Sequence, residues 1–240
     1  MNYKAVLFDM DGTILDTSED LVAAVNYAMK ENGHRHDFEK EHGCLFFGSG
    51  VHTAIQRALA LEMGMSRSEI LMIGTSDHMT VEGIDEEEVE KIKAVYMPYY
   101  KEHSAIKTGP FPGIVELLVK LRKNGIMTAV VSNKPHAAVL DLADHYFSGL
   151  FDCALGETAG IARKPAADMN EKILEELGVE KKDAVYVGDT EVDLSTAANS
   201  GMDCICVNWG FRSAEELKSL GAKCIVKDAE EIFSVIHAVG

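Results

Sequence analysis

Short apolar runs alternate with helical patterns along most of the chain. The first run, Tyr3–Phe8, is bounded by Asp and Gly residues, which is typical of a buried strand. Four similar runs follow, at Ile126–Val131, Phe151–Leu155, Ala184–Val187 and Asp203–Val207. Helical patterns accompany them at Ile114–Lys123, Ala137–His145, Ala167–Leu177 and Val192–Ser200. This alternation predicts right-handed βαβ crossovers and therefore an α/β fold with a doubly wound, mainly parallel sheet.

Glycines stand just past three of these helical patterns. They are Gly125, Gly178 and Gly201. A helix often ends on a residue in the left-handed conformation, which glycine adopts easily because it has no Cβ. We therefore expect the three helices to end at these positions.

The stretch from Thr17 to Thr108 interrupts the alternation. It carries amphipathic helical patterns at Leu21–Asn32, Val51–Met63 and Glu86–Glu102, and no run that is typical of a buried strand. The turn-forming cluster Thr108–Gly113 then marks the return to alternation. We expect two domains: an α/β core made of residues 1–16 and 109–240, and an inserted all-α domain of residues 17–108.

The charge of the chain limits the partners that we expect. Among 240 residues, 39 are acidic and 23 basic, which gives a formal net charge of −16. Such a surface repels nucleic acids and anionic membranes, so neither is an expected partner. An anionic substrate would have to be attracted locally, by a metal ion, a lysine and backbone N–H groups. No apolar stretch reaches the roughly 18 residues of a membrane helix, and the five scattered cysteines indicate a reducing, cytoplasmic setting.

Two carboxylates follow the first predicted strand. Asp9 and Asp11 are two residues apart, and this spacing on an extended segment points both side chains the same way. Ligands of open α/β sheets bind at the carboxyl ends of the strands. Two acids at the rim of an apolar core need a metal, a proton or a substrate. The alternative is an ordinary Asp-Gly turn with incidental acids.

Polar residues also follow two later strands. Ser132 and Asn133 come after Ile126–Val131, and Pro135 fits the first position of the next helix. The pair is therefore predicted at a helix N-terminus, which favours anion binding, although Ser-Asn also serves as a plain helix cap. Asp189 follows the strand Ala184–Val187 in the same way.

Asp193 and Lys164 complete the set of candidate residues. Asp193 lies about one helical turn after Asp189. Carboxylate oxygens from Asp9 and Asp189 suit Mg²⁺, which usually takes one or two protein carboxylates and keeps several waters. Lys164, in a loop after the third predicted strand, would by itself be read as an ordinary surface lysine.

Together, these four motifs resemble those of the haloacid dehalogenase superfamily of aspartate-nucleophile phosphatases. They are Asp-Met-Asp-Gly-Thr at 9–13, Ser-Asn at 132–133, Lys-Pro at 164–165 and Gly-Asp-Thr-Glu-Val-Asp at 188–193. The resemblance covers almost the whole chain and implies a Rossmann-like catalytic core. The insert after the first motif is similar to the helical cap domain of one subfamily. The stretch Trp209–Arg212, with Glu215–Leu217 and Gly221-Ala222, is similar to phosphoglycolate phosphatases and their near relatives.

The resemblance also implies roles for the motif residues. Asp9 would attack phosphorus and form an aspartyl phosphate. Asp11 would protonate the leaving oxygen and then take a proton from the hydrolytic water. Ser132 and the Asn133 backbone would hold the phosphoryl oxygens, and Lys164 would neutralise charge beside Asp9 and the phosphate.

A metal site is implied by the same resemblance. Mg²⁺ would be bound by Asp9, the Asp11 carbonyl and Asp189, and a cation there would remove the repulsion between a carboxylate and a phosphate dianion. Asp193 would orient Lys164 or a metal-bound water. Gly12 and Thr13 would support the first motif.

A loop in the insert is a candidate for substrate contact. Phe46 and Phe47 look exposed and precede the glycine-rich turn Gly48-Ser49-Gly50. The family places a substrate-contacting cap loop near this position, which would assign that role to Phe47, Gly48 and Gly50. Packing inside the cap is the other interpretation.

The expected activity is hydrolysis of a small phosphorylated metabolite, with phosphoglycolate as the first choice. A pyrophosphatase or a sugar-phosphate mutase of the family would share the core residues, although the Arg-containing cap signature usual in such mutases is not found between Gly43 and Arg57. A dehalogenase is disfavoured, because those relatives lack an acid at the place of Asp11. A non-catalytic phospho-receiver is the alternative from another class, and the insert and Asp11 argue against it. Monomer and homodimer both stay open.

Overall fold

The computed structural model describes residues 3–74 and 81–238. The chain divides into two compact units. The core unit comprises residues 1–16 and 109–240, and the insert unit comprises residues 17–108. The assignment of these units as catalytic core and cap remains a prediction.

Strands and helices alternate in the core unit, whereas the described part of the insert unit is helical. The strands are β1 (Ala5–Phe8), β2 (Leu15–Asp16), β3 (Gly109–Pro110), β4 (Met127–Pro135), β5 (Cys153–Glu157), β6 (Ala184–Gly188), β7 (Asp203–Val207) and β8 (Ile225–Val226). The helices are α1 (Ser18–Glu31), α2 (Gly43–Phe46), α3 (Val51–Glu62), α4 (Arg67–Met72), α5 (Glu86–His103), α6 (Ile114–Lys123), α7 (His136–Phe147), α8 (Asp168–Leu177), α9 (Glu191–Ser200), α10 (Ala214–Ser219) and α11 (Ala229–Ala238). Short 3₁₀ helices occupy Lys40–His42 and Lys181–Asp183.

A six-stranded parallel sheet forms the centre of the core unit. Its strand order is β5-β4-β1-β6-β7-β8, and each neighbouring pair is parallel. Phe8 at the end of β1 is in register with Val130 on one side and Val187 on the other. The carboxyl ends of β1, β4 and β6 therefore lie side by side. The predicted α/β fold with a doubly wound parallel sheet is confirmed.

Both faces of the sheet are covered by apolar side chains. Successive residues of β1 point to opposite faces. Phe8 packs in the cluster that includes residues of α6, α7 and α11, whereas Leu7 packs in the cluster that includes residues of α8 and α9. Each such fully buried side chain contributes roughly 1.5–3 kcal/mol to folding. The sheet edge that carries the polar motifs is thus built on a packed scaffold.

Helix ends in the core unit fall where the glycines predicted them. Gly178 and Gly201 are the C-cap residues of α8 and α9, with φ of 66° and 67°. Gly125, with φ of 72°, follows the C-cap of α6. The C-terminal elements α10, β8 and α11 were not predicted, and β8 has only two residues.

The insert unit consists of helices in its described residues, and α1, α3 and α5 are the three that the sequence predicted. Asp20, in the first turn of α1, fastens the end of the unit to its beginning. Its carboxylate accepts the backbone N–H groups of Ile106, Lys107 and Thr108 at 2.9–3.1 Å. None of the described helices has both the length and the hydropathy of a membrane span.

Phe46 and Phe47, which look exposed in the sequence, are buried. Phe46 is fully buried and its ring packs edge-on against Phe38, with ring centroids 5.0 Å apart. Phe47 is 5 % exposed. Of the two interpretations left open from the sequence, burial of these rings supports packing inside the insert unit, and Phe38, eight residues earlier in the chain, supplies an apolar partner that no local pattern indicates. Arg57 is also buried, and donates hydrogen bonds to the carbonyl oxygens of Ile73 and Leu45.

Candidate active site

A tight turn after β1 positions the two carboxylates of the first motif. The Asp9 N–H donates to the Val187 carbonyl at 2.9 Å, and the Met10 carbonyl accepts N–H groups from the residues that close the turn. Gly12 has a φ of 83°, and a Cβ there would lie 2.4 Å from Asp189 Oδ2. This position therefore requires glycine, both for its backbone and for the close approach of Asp189.

Lys164 is buried beneath Asp9 rather than exposed. Its Nζ donates to Asp9 Oδ1 at 2.7 Å, to Asp193 Oδ1 at 2.9 Å and to the Tyr186 hydroxyl at 3.1 Å. The interpretation as a surface lysine is wrong, since the side chain is 2 % exposed. Burial opposes its charge, but the carboxylates of Asp193 and Asp9 outweigh burial and raise the pKa of Lys164 well above its ordinary value.

Asp193 anchors the lysine and the start of α9. Its Oδ2 accepts the N–H groups of Asp189 and Thr190 and the Thr190 hydroxyl, at 3.1, 3.0 and 2.7 Å. Burial alone would raise the pKa of Asp193, but the charge and hydrogen bond of Lys164 and the donors of Thr190 lower it below its ordinary value. Asp193 is therefore an ionised anchor that contacts Lys164 directly. Its orientation of a metal-bound water remains a prediction.

Asp189 is fully buried and both of its oxygens accept hydrogen bonds. The Thr13 hydroxyl donates to Oδ1 at 2.9 Å, and the Phe211 N–H donates to Oδ2 at 2.6 Å. Burial, followed by the charges of Asp193 and Asp9, raises the pKa of Asp189 well above its ordinary value. Burial likewise raises the pKa of Asp9 to about 7, against the opposing effect of Lys164.

These carboxylates form a cluster that fits a divalent cation. Ligand oxygens of Asp9, Asp189 and Asp193 lie within 4.8 Å of one another. A cation between them would favour the ionised forms that burial disfavours. Hard oxygen donors are the ligands that Mg²⁺ prefers. Two of the three, Asp9 and Asp189, are those expected from the sequence as metal ligands.

The second motif lies on an irregular end of β4. Val131 pairs with Leu155 and Pro135 pairs with Glu157, so residues 132–134 are bulged out of the ladder with β5. Ser132 and Asn133 are both buried, at 2 % and 9 % exposure. The prediction that Pro135 is the first helical residue was wrong by one position, because Pro135 is the N-cap and α7 begins at His136. Residues 132–135 continue the strand instead.

Asn133 joins the second motif to the third. Its side-chain amide donates to the Lys164 carbonyl at 3.0 Å, which fixes the loop that carries the buried lysine. The Ser132 hydroxyl accepts the Lys134 N–H at 3.2 Å, which shapes the bulge itself. Binding of phosphoryl oxygens by Ser132 and Asn133 remains a prediction.

Two site residues were missed from the sequence, Lys134 and Tyr186. Lys134 Nζ lies 3.1 Å from Asp11 Oδ1, and the two side chains are 3 % and 19 % exposed. The signal was its position directly after Ser132-Asn133 at the same sheet edge. Tyr186 is fully buried in β6, where its hydroxyl contacts Asp193 at 3.2 Å as well as Lys164. A polar hydroxyl within a buried apolar strand was the available sign.

The turn at Trp209–Arg212 packs against the first and fourth motifs. The Trp209 indole donates to the Thr13 carbonyl at 3.1 Å, and the Phe211 N–H contacts Asp189 as described above. A Cβ on Gly210 would lie 2.2 Å from Asp189 Oδ2 and 2.3 Å from the Gly12 carbonyl oxygen. The turn therefore fits directly against this carboxylate.

A buried ion pair holds the same turn to helix α9. Arg212 forms a bidentate pair with Glu191, with two N···O distances of 2.8 Å. The sequence had shown a resemblance in this stretch, but not that it supports Asp189.

The loop predicted to contact substrate lies in the insert unit. Gly48 and Gly50 have φ of 114° and 88°, and Gly50 is the N-cap residue of α3. Both positions therefore favour glycine for conformational reasons. Contact of Phe47, Gly48 and Gly50 with substrate remains a prediction.

The site is therefore a buried aspartate at the carboxyl edge of a parallel sheet, paired with a lysine and flanked by further acids. This arrangement agrees with the class of hydrolase expected from the four motifs. The family model of haloacid dehalogenase-like hydrolases matches residues 6–207, and the chain belongs to that family. The family prediction made from the four motifs is confirmed.

Within that family, the chain is similar to phosphoglycolate phosphatases. It is 28 % identical over 230 residues to phosphoglycolate phosphatase 1 of Pseudomonas aeruginosa, an alignment that covers 95 % of this chain and 78 % of the relative. It is also 28 % identical over 211 residues to phosphoglycolate phosphatase of Aquifex aeolicus, covering 87 % and 86 % of the two chains. A solved structure from Lactobacillus delbrueckii, provisionally named a phosphoglycolate phosphatase, is 52 % identical, with a TM-score of 0.96 and coverage of 98 % and 99 %.

Proposed function

We propose that the protein is a Mg²⁺-dependent phosphatase that hydrolyses a small phosphorylated metabolite, with phosphoglycolate as the first choice, through an aspartyl phosphate on Asp9. The observation that carries the proposal is the buried Asp9 carboxylate, held 2.7 Å from Lys164 Nζ and clustered with Asp189 and Asp193. The names of the relatives from Pseudomonas and Aquifex support the choice of substrate.

The charges of the site support a divalent cation as cofactor. Four carboxylates, of Asp9, Asp11, Asp189 and Asp193, stand against two ammonium groups, of Lys134 and Lys164. When all six groups are ionised, two negative charges are left over, which one Mg²⁺ would balance. Asp9, the Asp11 carbonyl and Asp189 would hold the ion, which when bound would neutralise charge on the phosphoryl oxygens.

Asp9 would act as the nucleophile. Lys164 fixes Asp9 Oδ1, and Asp193 in turn fixes Lys164, so the carboxylate is held in one orientation without having to reorganise. We assign the attack on phosphorus to Oδ2. An acyl phosphate (mixed anhydride) bond then forms between Asp9 and phosphorus while the bond between phosphorus and the leaving oxygen breaks.

The residues around Asp9 would handle the proton and the phosphoryl oxygens. Asp11 is the more exposed of the first two acids, which suits a group that gives a proton to the leaving oxygen and later takes one from water. Ser132 and the Asn133 backbone, at the neighbouring strand end, would hold phosphoryl oxygens. Water then attacks the phosphorus of the aspartyl phosphate, which releases inorganic phosphate and regenerates Asp9.

The test of this proposal is the near-isosteric substitution Asp9→Asn. We expect loss of Mg²⁺-dependent hydrolysis of both phosphoglycolate and p-nitrophenyl phosphate by several orders of magnitude, since loss of a covalent nucleophile reduces kcat by up to ~10⁶ in triad enzymes. Trapping with beryllofluoride or borohydride should label Asp9 alone. Asp183→Asn, which alters a partly exposed acid of the core unit that pairs with Lys4, is the control. Substantial turnover by Asp9→Asn would refute the mechanism.

The same assays separate the alternatives. A phospho-receiver would show no sustained Mg²⁺-dependent turnover of p-nitrophenyl phosphate, whereas a phosphatase would. A panel that includes pyrophosphate and sugar phosphates distinguishes a pyrophosphatase or a mutase from a phosphatase of small organic esters. We also propose a cytoplasmic location, which the five free cysteines support, because a reducing compartment keeps thiols unpaired.

A further inference from the structure

Two lysines reach the site, and their surroundings differ. Lys164 is enclosed by Asp9, Asp193 and Tyr186, so its ammonium group is fixed beneath the nucleophile. Lys134 has instead been brought close to Asp11, with Nζ 3.1 Å from Oδ1. Its own side chain is only 3 % exposed, although most lysines keep the ammonium group in water.

Lys134 lies in the irregular segment of β4. Residues 132–134 leave the ladder with β5, and bulges of this kind redirect side chains next to functional sites. Burying an ammonium group costs several kcal/mol before pairing is counted. Lys164 already pairs with Asp9, so charge compensation of Asp9 does not explain why a second lysine is buried here.

The contact with Asp11, the proposed proton donor, puts Lys134 on the leaving-group side of the substrate. A leaving oxygen that receives a proton from Asp11 lies about 2.8 Å from a carboxyl oxygen of that residue. When that carboxyl oxygen is Oδ1, the leaving oxygen lies within roughly 6 Å of Lys134 Nζ, because Oδ1 is 3.1 Å from Nζ. An anionic group one carbon beyond the leaving oxygen can then bridge the remaining distance and accept a hydrogen bond from this ammonium group.

The net negative charge of the chain makes a local contact between Lys134 and a substrate anion favourable for binding. The chain carries a formal net charge of −16, so a substrate with two anionic groups is repelled at long range. With one Mg²⁺ bound, the six ionised groups of the site sum to zero, so the site has no net positive charge to compensate the anionic groups of a substrate. A charge-assisted hydrogen bond from Lys134 would do so locally.

We propose that Lys134 binds a second anionic group of the substrate, attached within about two bonds of the leaving oxygen. This inference rests on the proposed phosphatase function and names its substrate class. A carboxylate on a two-carbon phosphate ester and the second phosphate of pyrophosphate both have this chemistry. Esters of neutral alcohols lack it.

The test compares three substrates on the full-length, Mg²⁺-loaded enzyme. They are 2-phosphoglycolate, pyrophosphate and 2-hydroxyethyl phosphate, the last of which replaces the carboxylate by a neutral CH₂OH group. We expect kcat/KM of the wild type to favour at least one of the two substrates with a second anionic group over 2-hydroxyethyl phosphate. Lys134→Met should reduce that preference by about 10- to 100-fold, the usual share of a hydrogen bond to a charged group. Lys134→Arg should keep part of it, because the charge is retained.

Each outcome of this comparison either supports or refutes the inference. A preference for phosphoglycolate identifies the second anion as a carboxylate, and a preference for pyrophosphate identifies it as a phosphate. If Lys134 only positions Asp11, Lys134→Met lowers kcat/KM for all three substrates equally and the preference is unchanged, which refutes the inference. Lys4→Met, at an exposed lysine, is the matched control.

The wild type alone gives a second readout in case Lys134→Met fails to fold. No preference of the wild type for either anionic substrate refutes the inference, while hydrolysis of 2-hydroxyethyl phosphate keeps the proposed phosphatase function. Failure to hydrolyse any of the three overturns both together.

Discussion

Asp193 gives the strongest prediction about the stability of the core unit. Its two oxygens accept five hydrogen bonds, from Lys164 Nζ, the Tyr186 hydroxyl, the Asp189 and Thr190 N–H groups and the Thr190 hydroxyl. In Asp193→Asn, one oxygen becomes an NH₂ group, which faces either Lys164 Nζ or the N–H groups of Asp189 and Thr190. These groups cannot accept a hydrogen bond, whereas the Tyr186 and Thr190 hydroxyls can. The smaller loss is therefore the Lys164 bond, and in either orientation Lys164 loses one of its two carboxylate partners.

The size of the effect follows from these contacts. Each buried donor left without a partner costs about 1–3 kcal/mol, and breaking a buried ion pair by removing one partner costs about 3–5 kcal/mol. These terms overlap because they describe the same atoms, so we expect a total loss of about 3–5 kcal/mol. In a unit of this size, the melting temperature would fall by about 2–4 °C for each kcal/mol.

Urea denaturation followed by tryptophan fluorescence measures this loss. Trp209 is the single tryptophan of the chain and lies in the core unit, so its signal reports the unfolding of that unit. Asp183→Asn is the matched control, because Lys4 and Asp183 form an ion pair at 2.7 Å that is open to solvent. Screening makes such a pair weak. A loss for Asp193→Asn no larger than that of the control would refute the reasoning.

Three further predictions concern catalysis, the insert and the metal. Asp11→Asn should accumulate phosphoenzyme from p-nitrophenyl phosphate and slow its hydrolysis by roughly 10²–10⁴, seen as a burst in rapid-quench assays; an equal fall of burst and steady state would contradict the assigned role. Gly50→Val should lower kcat/KM for the natural metabolite more than for p-nitrophenyl phosphate, whereas equal losses, or none, would mean that this loop only packs the insert unit. Because burial raises the folded-state pKa of Asp9 to about 7, the metal-free protein should lose stability as pH rises from about 4 through 7. Mg²⁺ requires the ionised carboxylate, so it should raise the melting temperature more at pH 8 than at pH 5, and an equal rise would show that Asp9 is not a ligand.

Strands β1, β4, β5, β6 and β7 were predictable from the sequence because each is a local apolar run between polar or glycine residues. The same was true of the helices that end at Gly178 and Gly201, where the stop signal lies in the chain itself. Elements too short to show a period were missed, such as α2 with four residues and β8 with two. A hydrophobic period can be recognised only when the element is long enough to repeat it.

Only those site residues that belong to a recognisable local motif could be predicted from the sequence. Asp9 and Asp189 were identified because they follow buried strands, and the parallel order of β1 and β6 brings those strand ends together. The contacts of Lys134 and Tyr186 depend on neighbours from distant segments, so no local pattern reveals them. Lys164 was a surface residue by pattern and became a site residue only through the family resemblance.

The fit of Gly210 between Gly12 and Asp189 has a consequence for how the protein is made. The contact joins positions separated by almost 200 residues, so the acidic cluster takes its final form only after nearly the whole chain has left the ribosome. The insert unit is one continuous segment and can fold earlier during synthesis. The core must instead wait for its last strands, and long-range contacts of this kind slow folding because a large loop has to close first. We therefore expect any chain that stops before residue 209 to lack a formed site, even though it contains each of the four motifs.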